Sequence, residues 1–88
     1  MNDALDALIA GCEVQVHAEG LKCPLPLLKT KKALSPLAPG AAVYLRATDP
    51  NSMRDLLAFA SEAGHEVLHA GEEGGMFQFV FRKGAGAA

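Results

Sequence analysis

The stretch from Glu13 to Leu34, EVQVHAEGLKCPLPLLKTKKAL, carries two periodicities in succession. From Glu13 to Ala18 the residues alternate. Val14, Val16 and Ala18 fall on one side and Glu13, Gln15 and His17 on the other, the pattern of a half-buried strand. Gly20 then permits a turn. Pro24 has the fixed φ favoured at the first position of a helix, which makes Cys23 the expected N-cap. Leu27, Thr30 and Leu34 follow at helical spacing with Lys29 and Lys32 on the opposite side, and the Ser35 to Gly40 stretch, with Pro36 and Pro39, ends the helix. A strand thus runs straight into a helix through Cys-Pro-Leu-Pro.

Working outward, Ala42 to Thr48 alternates again, Val43, Leu45 and Ala47 against Tyr44 and Arg46, and reads as a second strand. Asp49 is a good N-cap, with Pro50 at the first helical position. Met53, Leu56, Leu57, Ala60 and Ala63 make an apolar stripe, and Gly64 supplies the stop. Glu66 to Ala70 is a third strand, Gly71 to Gly75 a hairpin loop, and Met76 to Arg82 a fourth strand with Phe77, Phe79 and Phe81 on one face. Before the first strand, Asn2 to Ile9 forms a short helix capped by Asn2 or Asp3, with Leu5, Leu8 and Ile9 together. The order βαβαββ, with right-handed crossovers, predicts an α/β (α+β) two-layer sandwich: a four-stranded mixed sheet with two helices packed on one face. The expected organisation is an N-terminal extension over residues 1–12, a single domain over 13–83 and a flexible tail over 84–88.

At 88 residues the chain holds one domain and no second catalytic one. Half of the residues are hydrophobic, enough for a modest core but not for a deep substrate cavity, so an active group is expected near the surface. The formal charge of −2 argues against non-specific nucleic-acid binding. Yet half of the eight cationic side chains, Lys22, Lys29, Lys31 and Lys32, cluster beside the cysteine. Such a run is by default a solvated helix face; beside a thiol it also suits an acidic partner or an anion. No run is long enough to cross a membrane, and Asp3 and Asp6 stand where a secretory signal needs positive charge, so a cytoplasmic protein without membrane contact is expected. Cys12 and Cys23 are too few for a disulfide scaffold and lack the spacing of a redox or zinc pair.

A thiol attacks as thiolate, and a helix N-terminus, carrying about half a positive charge, lowers its pKa. Cys23 is placed to feel that field, with the amide of Leu25 as the nearest expected donor to its sulfur. Pro24 and Pro26 bring no N–H groups, and the Pro26 ring stops the helix from extending backwards past the cysteine. Lys22 adds a neighbouring cation. A free cysteine is by default a small buried residue; the two prolines turn the reading of Cys23 toward a reactive thiol. Cys12 has no following proline and reads as structural.

At Gly20-Leu21-Lys22-Cys23-Pro24-Leu25-Pro26 the sequence resembles the TusA (SirA-like) family of sulfurtransferases. Pro39-Gly40, Asp49-Pro50, His65-Glu66 and Arg82-Lys83-Gly84 match downstream, so the resemblance runs from about Val14 to Gly84. It implies that Cys23 is the catalytic group, accepting sulfane sulfur as a persulfide and handing it to an acceptor protein in a sulfur relay that serves tRNA thiolation, cofactor assembly or sulfur oxidation. Gly20, Lys22, Pro24 and Pro26 would form the supporting motif, and Lys29 and Lys32 a docking surface. The implied partners are a persulfide donor protein, such as a cysteine desulfurase or rhodanese, and an acceptor relay protein, with no metal and no organic cofactor. The chain departs from the family at His17, where an Asp commonly stands six residues before the cysteine, which leaves the subgroup and its partners open. His17, like His65 and His69, reads by default as an ordinary side chain, His17 on the solvent face of its strand.

Two other functions fit parts of the sequence. A thiol redox or regulatory module would oxidise Cys23 and would need Cys12 as its resolving thiol. A small RNA-binding module would use the basic helix, but the acidic balance and a phenylalanine stripe suited to a core stand against direct nucleic-acid contact.

Overall fold

The structure, a computed structural model, describes residues 3–85. Its elements are α1 (Asp3–Ala10), β1 (Val14–Ala18), α2 (Leu25–Leu34), β2 (Ala42–Ala47), α3 (Ser52–Ala63), β3 (Glu66–Glu73) and β4 (Met76–Arg82). The strands form one mixed sheet in the order β1-β2-β4-β3. β1 and β2 are parallel, and β4 lies antiparallel between β2 and β3. This is the expected βαβαββ sandwich.

The alternation in the strands becomes one buried face. Val16 and Ala18 stand beside Leu45 and Ala47, while Val43 and Leu45 stand beside Phe81 and Phe79. Against this face pack Leu34 of α2 and Leu56 and Ala60 of α3, all buried. Burying a Leu or Phe side chain contributes about 1.5–3 kcal/mol, so the fully buried Phe79 and Phe81 are major contributors to the core. Thr30, also buried in α2, gives its hydroxyl proton to the Pro26 carbonyl at 2.8 Å and leaves no orphan donor.

The other face of the sheet is shielded in part: Gln15 and His17 on it are exposed, while a patch at its centre is not. Tyr44 and Val80 point away from α2 and α3 yet are buried. Gln78 Nε2 donates to Tyr44 Oη at 3.0 Å. Leu5 and Asp6 of α1 border a cleft with His69, Gly71 and Gln78, which puts α1 on this side. Asn2, half of the expected cap, and the tail beyond Ala85 lie outside the described residues.

Three boundaries differ from the sequence expectation. β3 runs on to Glu73 instead of ending at Ala70, because Gly71, Glu72 and Glu73 pair with Gln78, Phe77 and Met76 despite their poor strand propensity. Only Gly74 and Gly75 form the turn, closed by the Gly75 N–H donating to Glu72 Oε2 at 2.8 Å. α3 begins at Ser52 with Asn51 as N-cap, not at Pro50. The Asp49 carboxylate accepts the Asn51 N–H at 2.8 Å; this local turn takes Asp49 and Pro50 out of the helix. α2 likewise starts at Leu25 with Pro24 as its N-cap, so Cys23 stands one residue further out than expected. The Cys23–Pro24 peptide is cis. Among the described residues no helix is long and apolar enough to cross a membrane.

Candidate active site

Because β1 and β2 are parallel neighbours, the loops that leave their carboxyl ends lie side by side, the place where open α/β sheets form their sites. Two hydrogen bonds join these loops. Gly20, at φ +80, donates its N–H to Thr48 Oγ1 at 2.9 Å, a backbone conformation that side-chain-bearing residues rarely adopt. The Cys23 N–H donates to Asp49 Oδ2 at 3.1 Å. The Cys23 side chain is thereby presented, exposed, at the tip of α2.

Its thiol faces a carboxylate. Cys23 Sγ donates to Asp55 Oδ2 at 3.0 Å. Asp55 Oδ1 in turn accepts from Arg54 Nε at 3.1 Å, and Arg54 also reaches Asn51 Oδ1 at 3.2 Å. The hydrogen bond to Asp55 raises the Cys23 pKa above the ordinary cysteine value, followed by desolvation and by the charges of Asp55 and Asp49. The same bond, followed by Arg54, holds Asp55 below the usual carboxylate range. This reverses the expectation of a thiol acidified by the helix. The Leu25 amide meant to face the sulfur donates instead to the Lys22 carbonyl at 2.8 Å. At neutral pH the resting side chain is therefore a neutral thiol beside an ionised carboxylate.

Beside the thiol is a niche of about 10 Å³, lined by Cys23, Pro26, Leu27, Asp49, Ser52 and Asp55 among others. That is room for roughly one water-sized group. Among the described residues no group of three or more His, Cys, Asp and Glu side chains is arranged to hold a metal ion.

The remaining motif residues serve the frame. Pro26 is buried and lines the niche, while Pro24 is exposed and its carbonyl accepts the Leu28 N–H at 3.0 Å. Lys22, Lys29 and Lys32 are exposed, and none makes an ion pair among the described residues. Leu25 and Leu28, at 46% and 51% exposure, stand on the same first turns of α2. His17 is on the exposed side of β1, with Nε2 3.3 Å from Gln15 Oε1, and takes no part in the site. Cys12 Sγ donates to the Leu8 carbonyl at 3.3 Å, and burial raises its pKa.

Comparison with known proteins adds a second line of observation. The profile described as "Sulfurtransferase TusA" matches residues 14–83, spanning the whole sheet and both helices of the buried face. The chain belongs to the TusA family. A sulfur carrier protein TusA of Allochromatium vinosum is 41% identical over 85% of this chain and 99% of its own length. A putative sulfur carrier protein of Bacillus subtilis is 39% identical over 78% of this chain and 92% of its own. In fold, the crystal structure of a SirA-like protein from Desulfitobacterium hafniense superposes with a TM-score of 0.71 at 24% identity, covering 82% of this chain and 99% of that one.

Within this TusA domain, sequence reasoning missed the groups that surround the thiol. Asp49 was read as a helix cap and as part of a family match but given no place beside the thiol, and Asp55 and Ser52 were not singled out. The one available signal was their position in the first turns of a helix that follows the second parallel strand, where side chains converge on the carboxyl end of the sheet. Lys83 was noted only within the Arg82-Lys83-Gly84 match, and its role was not foreseen. It is buried, and its Nζ donates to the carbonyls of Leu34, Ser35 and Leu37 at 3.0, 3.0 and 2.7 Å, closing the C-terminus of α2.

Proposed function

We propose that this TusA-family protein is a sulfur carrier in which Cys23 takes up sulfane sulfur as a persulfide and passes it to an acceptor protein. The observation that carries the reading is an exposed thiol whose proton is held by a dedicated carboxylate, Asp55, at the mouth of a niche with room for about one small group. Cys23 Sγ attacks the outer sulfur of a donor persulfide. A new S–S bond forms, the donor's S–S bond breaks, and the electron pair leaves on the donor's inner sulfur. That sulfur takes the proton released from Cys23, with Asp55 as the relay, so thiol and persulfide are exchanged with no oxidant. The names of the relatives, sulfur carriers covering most of this chain, support the same reading.

Exposed Lys29 and Lys32, with Leu25 and Leu28, offer a mixed basic and apolar surface along α2, leading away from the thiol, to donor and acceptor proteins. Oxidation of Cys23 against Cys12 has no geometric support. The two cysteines stand at opposite ends of β1, roughly 16 Å of strand apart, where a disulfide needs Cα atoms within about 7 Å. An RNA platform is equally unsupported, since Phe79 and Phe81 are in the core.

The test is a single-turnover relay with ³⁵S-cysteine, a cysteine desulfurase and a downstream relay protein. Label should pass through the wild type to the acceptor, fail with Cys23→Ser, and slow about tenfold with Lys29→Glu/Lys32→Glu if both charges steer docking. Equal label transfer by Cys23→Ser would overturn the reading, and an unchanged rate in the double variant would remove the lysines from docking.

A further inference from the structure

Ser52 is the first residue of α3 and is only 3% exposed, yet its Oγ has no hydrogen-bond partner. Its backbone N–H is satisfied by the Asp49 carbonyl at 3.0 Å, so the orphan is the hydroxyl alone. Buried hydroxyls are normally paired, and one that is not calls for an explanation. The explanation lies in its position: Ser52 lines the niche into which Cys23 opens.

The niche has the wrong sign for a naked anion. Asp49 and Asp55 line it, and an ionised carboxylate only accepts hydrogen bonds. Pro24, Pro26, Leu27 and Leu56 offer no side-chain donor. Apart from the thiol, the Ser52 hydroxyl is the one side-chain donor on the wall. A persulfide on Cys23 would place its outer sulfur one bond beyond Sγ, and that sulfur ionises more readily than a thiol. An anionic outer sulfur needs a donor, and it needs a space of about one atom.

We infer that the niche is the seat of the outer sulfur of the Cys23 persulfide and that the Ser52 hydroxyl donates a hydrogen bond to it. The inference rests on the carrier reading above and extends it from the cysteine to the group that holds its cargo. Loading follows the exchange already written, Cys23 thiol plus donor persulfide giving Cys23 persulfide plus donor thiol, and Ser52 neither gains nor loses a proton. Its contribution is to favour the ionised outer sulfur over the protonated one, against the repulsion of Asp55 and Asp49.

The experiment loads wild type, Ser52→Ala, Ser52→Gly and Ser52→Thr with sulfur from a cysteine desulfurase and cysteine. It then follows alkylation of the outer sulfur by iodoacetamide across pH, read by intact mass. Loss of a hydrogen bond to a charged group should raise the alkylation midpoint by about one pH unit in Ser52→Ala and Ser52→Gly. Ser52→Thr, which keeps the hydroxyl, should retain the wild-type midpoint. The two hydroxyl-free variants differ in helix propensity, so a folding defect in one leaves the other to decide. Loaded variants whose midpoints equal that of the wild type would show that the niche holds solvent only, and would overturn the inference while leaving the carrier reading intact. A wild type that acquires no outer sulfur from any persulfide donor would overturn both.

Discussion

At the scale of single residues, the proposed chemistry turns on the pair Cys23 and Asp55. A neutral thiol reacts slowly, so a carboxylate that accepts its hydrogen bond and keeps the proton on sulfur is expected to slow adventitious alkylation and oxidation. Asp55→Asn removes the charge, leaves one weaker amide oxygen as acceptor and supplies a side-chain N–H donor. The alkylation midpoint of resting Cys23 should therefore fall in this variant, from above the ordinary cysteine value in the wild type, as measured by iodoacetamide kinetics across pH. An unchanged or higher midpoint would show that Asp55 does not control the proton. Cys23 itself was legible because two prolines flank it in sequence. Its proton acceptor was not, because Asp55 stands 32 residues away and meets the thiol only when α3 folds back over the end of β2. The expected acidification is reversed first by the hydrogen bond to Asp55, and the Leu25 amide that would have opposed it is taken by the Lys22 carbonyl.

At the scale of elements, α2 is held at both ends by other parts of the chain. Its start is tied through the Cys23 N–H to Asp49, and its end is closed by Lys83 from beyond β4. Lys83→Met keeps the length of the stem but strands carbonyls at the helix C-terminus. We expect it to lower stability by about 1–3 kcal/mol in urea unfolding; a loss below about 0.5 kcal/mol would mean that water closes the helix equally well. Strands β1, β2 and β4 were readable to within a residue or so, because their inward positions alternate. β3 was cut short because Gly71, Glu72 and Glu73 look like loop residues, and pairing with β4 prevails over that local preference. The start of α3 was misplaced by one turn signal read as another: Asp49 and Pro50 suit a helix start, but Asp49 spends its carboxylate on the loop and on Cys23.

At the scale of the whole molecule, a buried histidine links the C-terminus of α3 to the end of the sheet. His65 is packed against Phe59, with ring centroids 5.3 Å apart, and its Nδ1 accepts the Gly84 N–H at 3.3 Å. Burial, and then the charge of Lys83, push its pKa below the ordinary histidine value. The folded state therefore binds fewer protons at this site than the unfolded one. The stabilisation is fully present above the unfolded pKa of about 6.5 and is lost as the pH falls through the folded value. In calorimetry the Tm of the wild type should drop between pH 7.5 and 5.5, and His65→Gln should flatten that slope; parallel slopes would assign the drop to other groups. The layout of sheet and helices was legible from the order of periodicities, whereas the place of α1 beside the second face was not. An eight-residue amphipathic segment does not announce which surface it will meet, and the buried Tyr44 and Val80 show only in the fold that part of the second face is shielded.

The central claim, that Cys23 carries sulfur, is tested most directly by intact-protein mass spectrometry after incubation with a cysteine desulfurase and cysteine, or with thiosulfate and a rhodanese. The wild type should gain the mass of one sulfur atom, lose it on reduction, and differ in this from Cys23→Ser, which should gain nothing. No gain from either donor, or an equal gain in Cys23→Ser, would contradict the account.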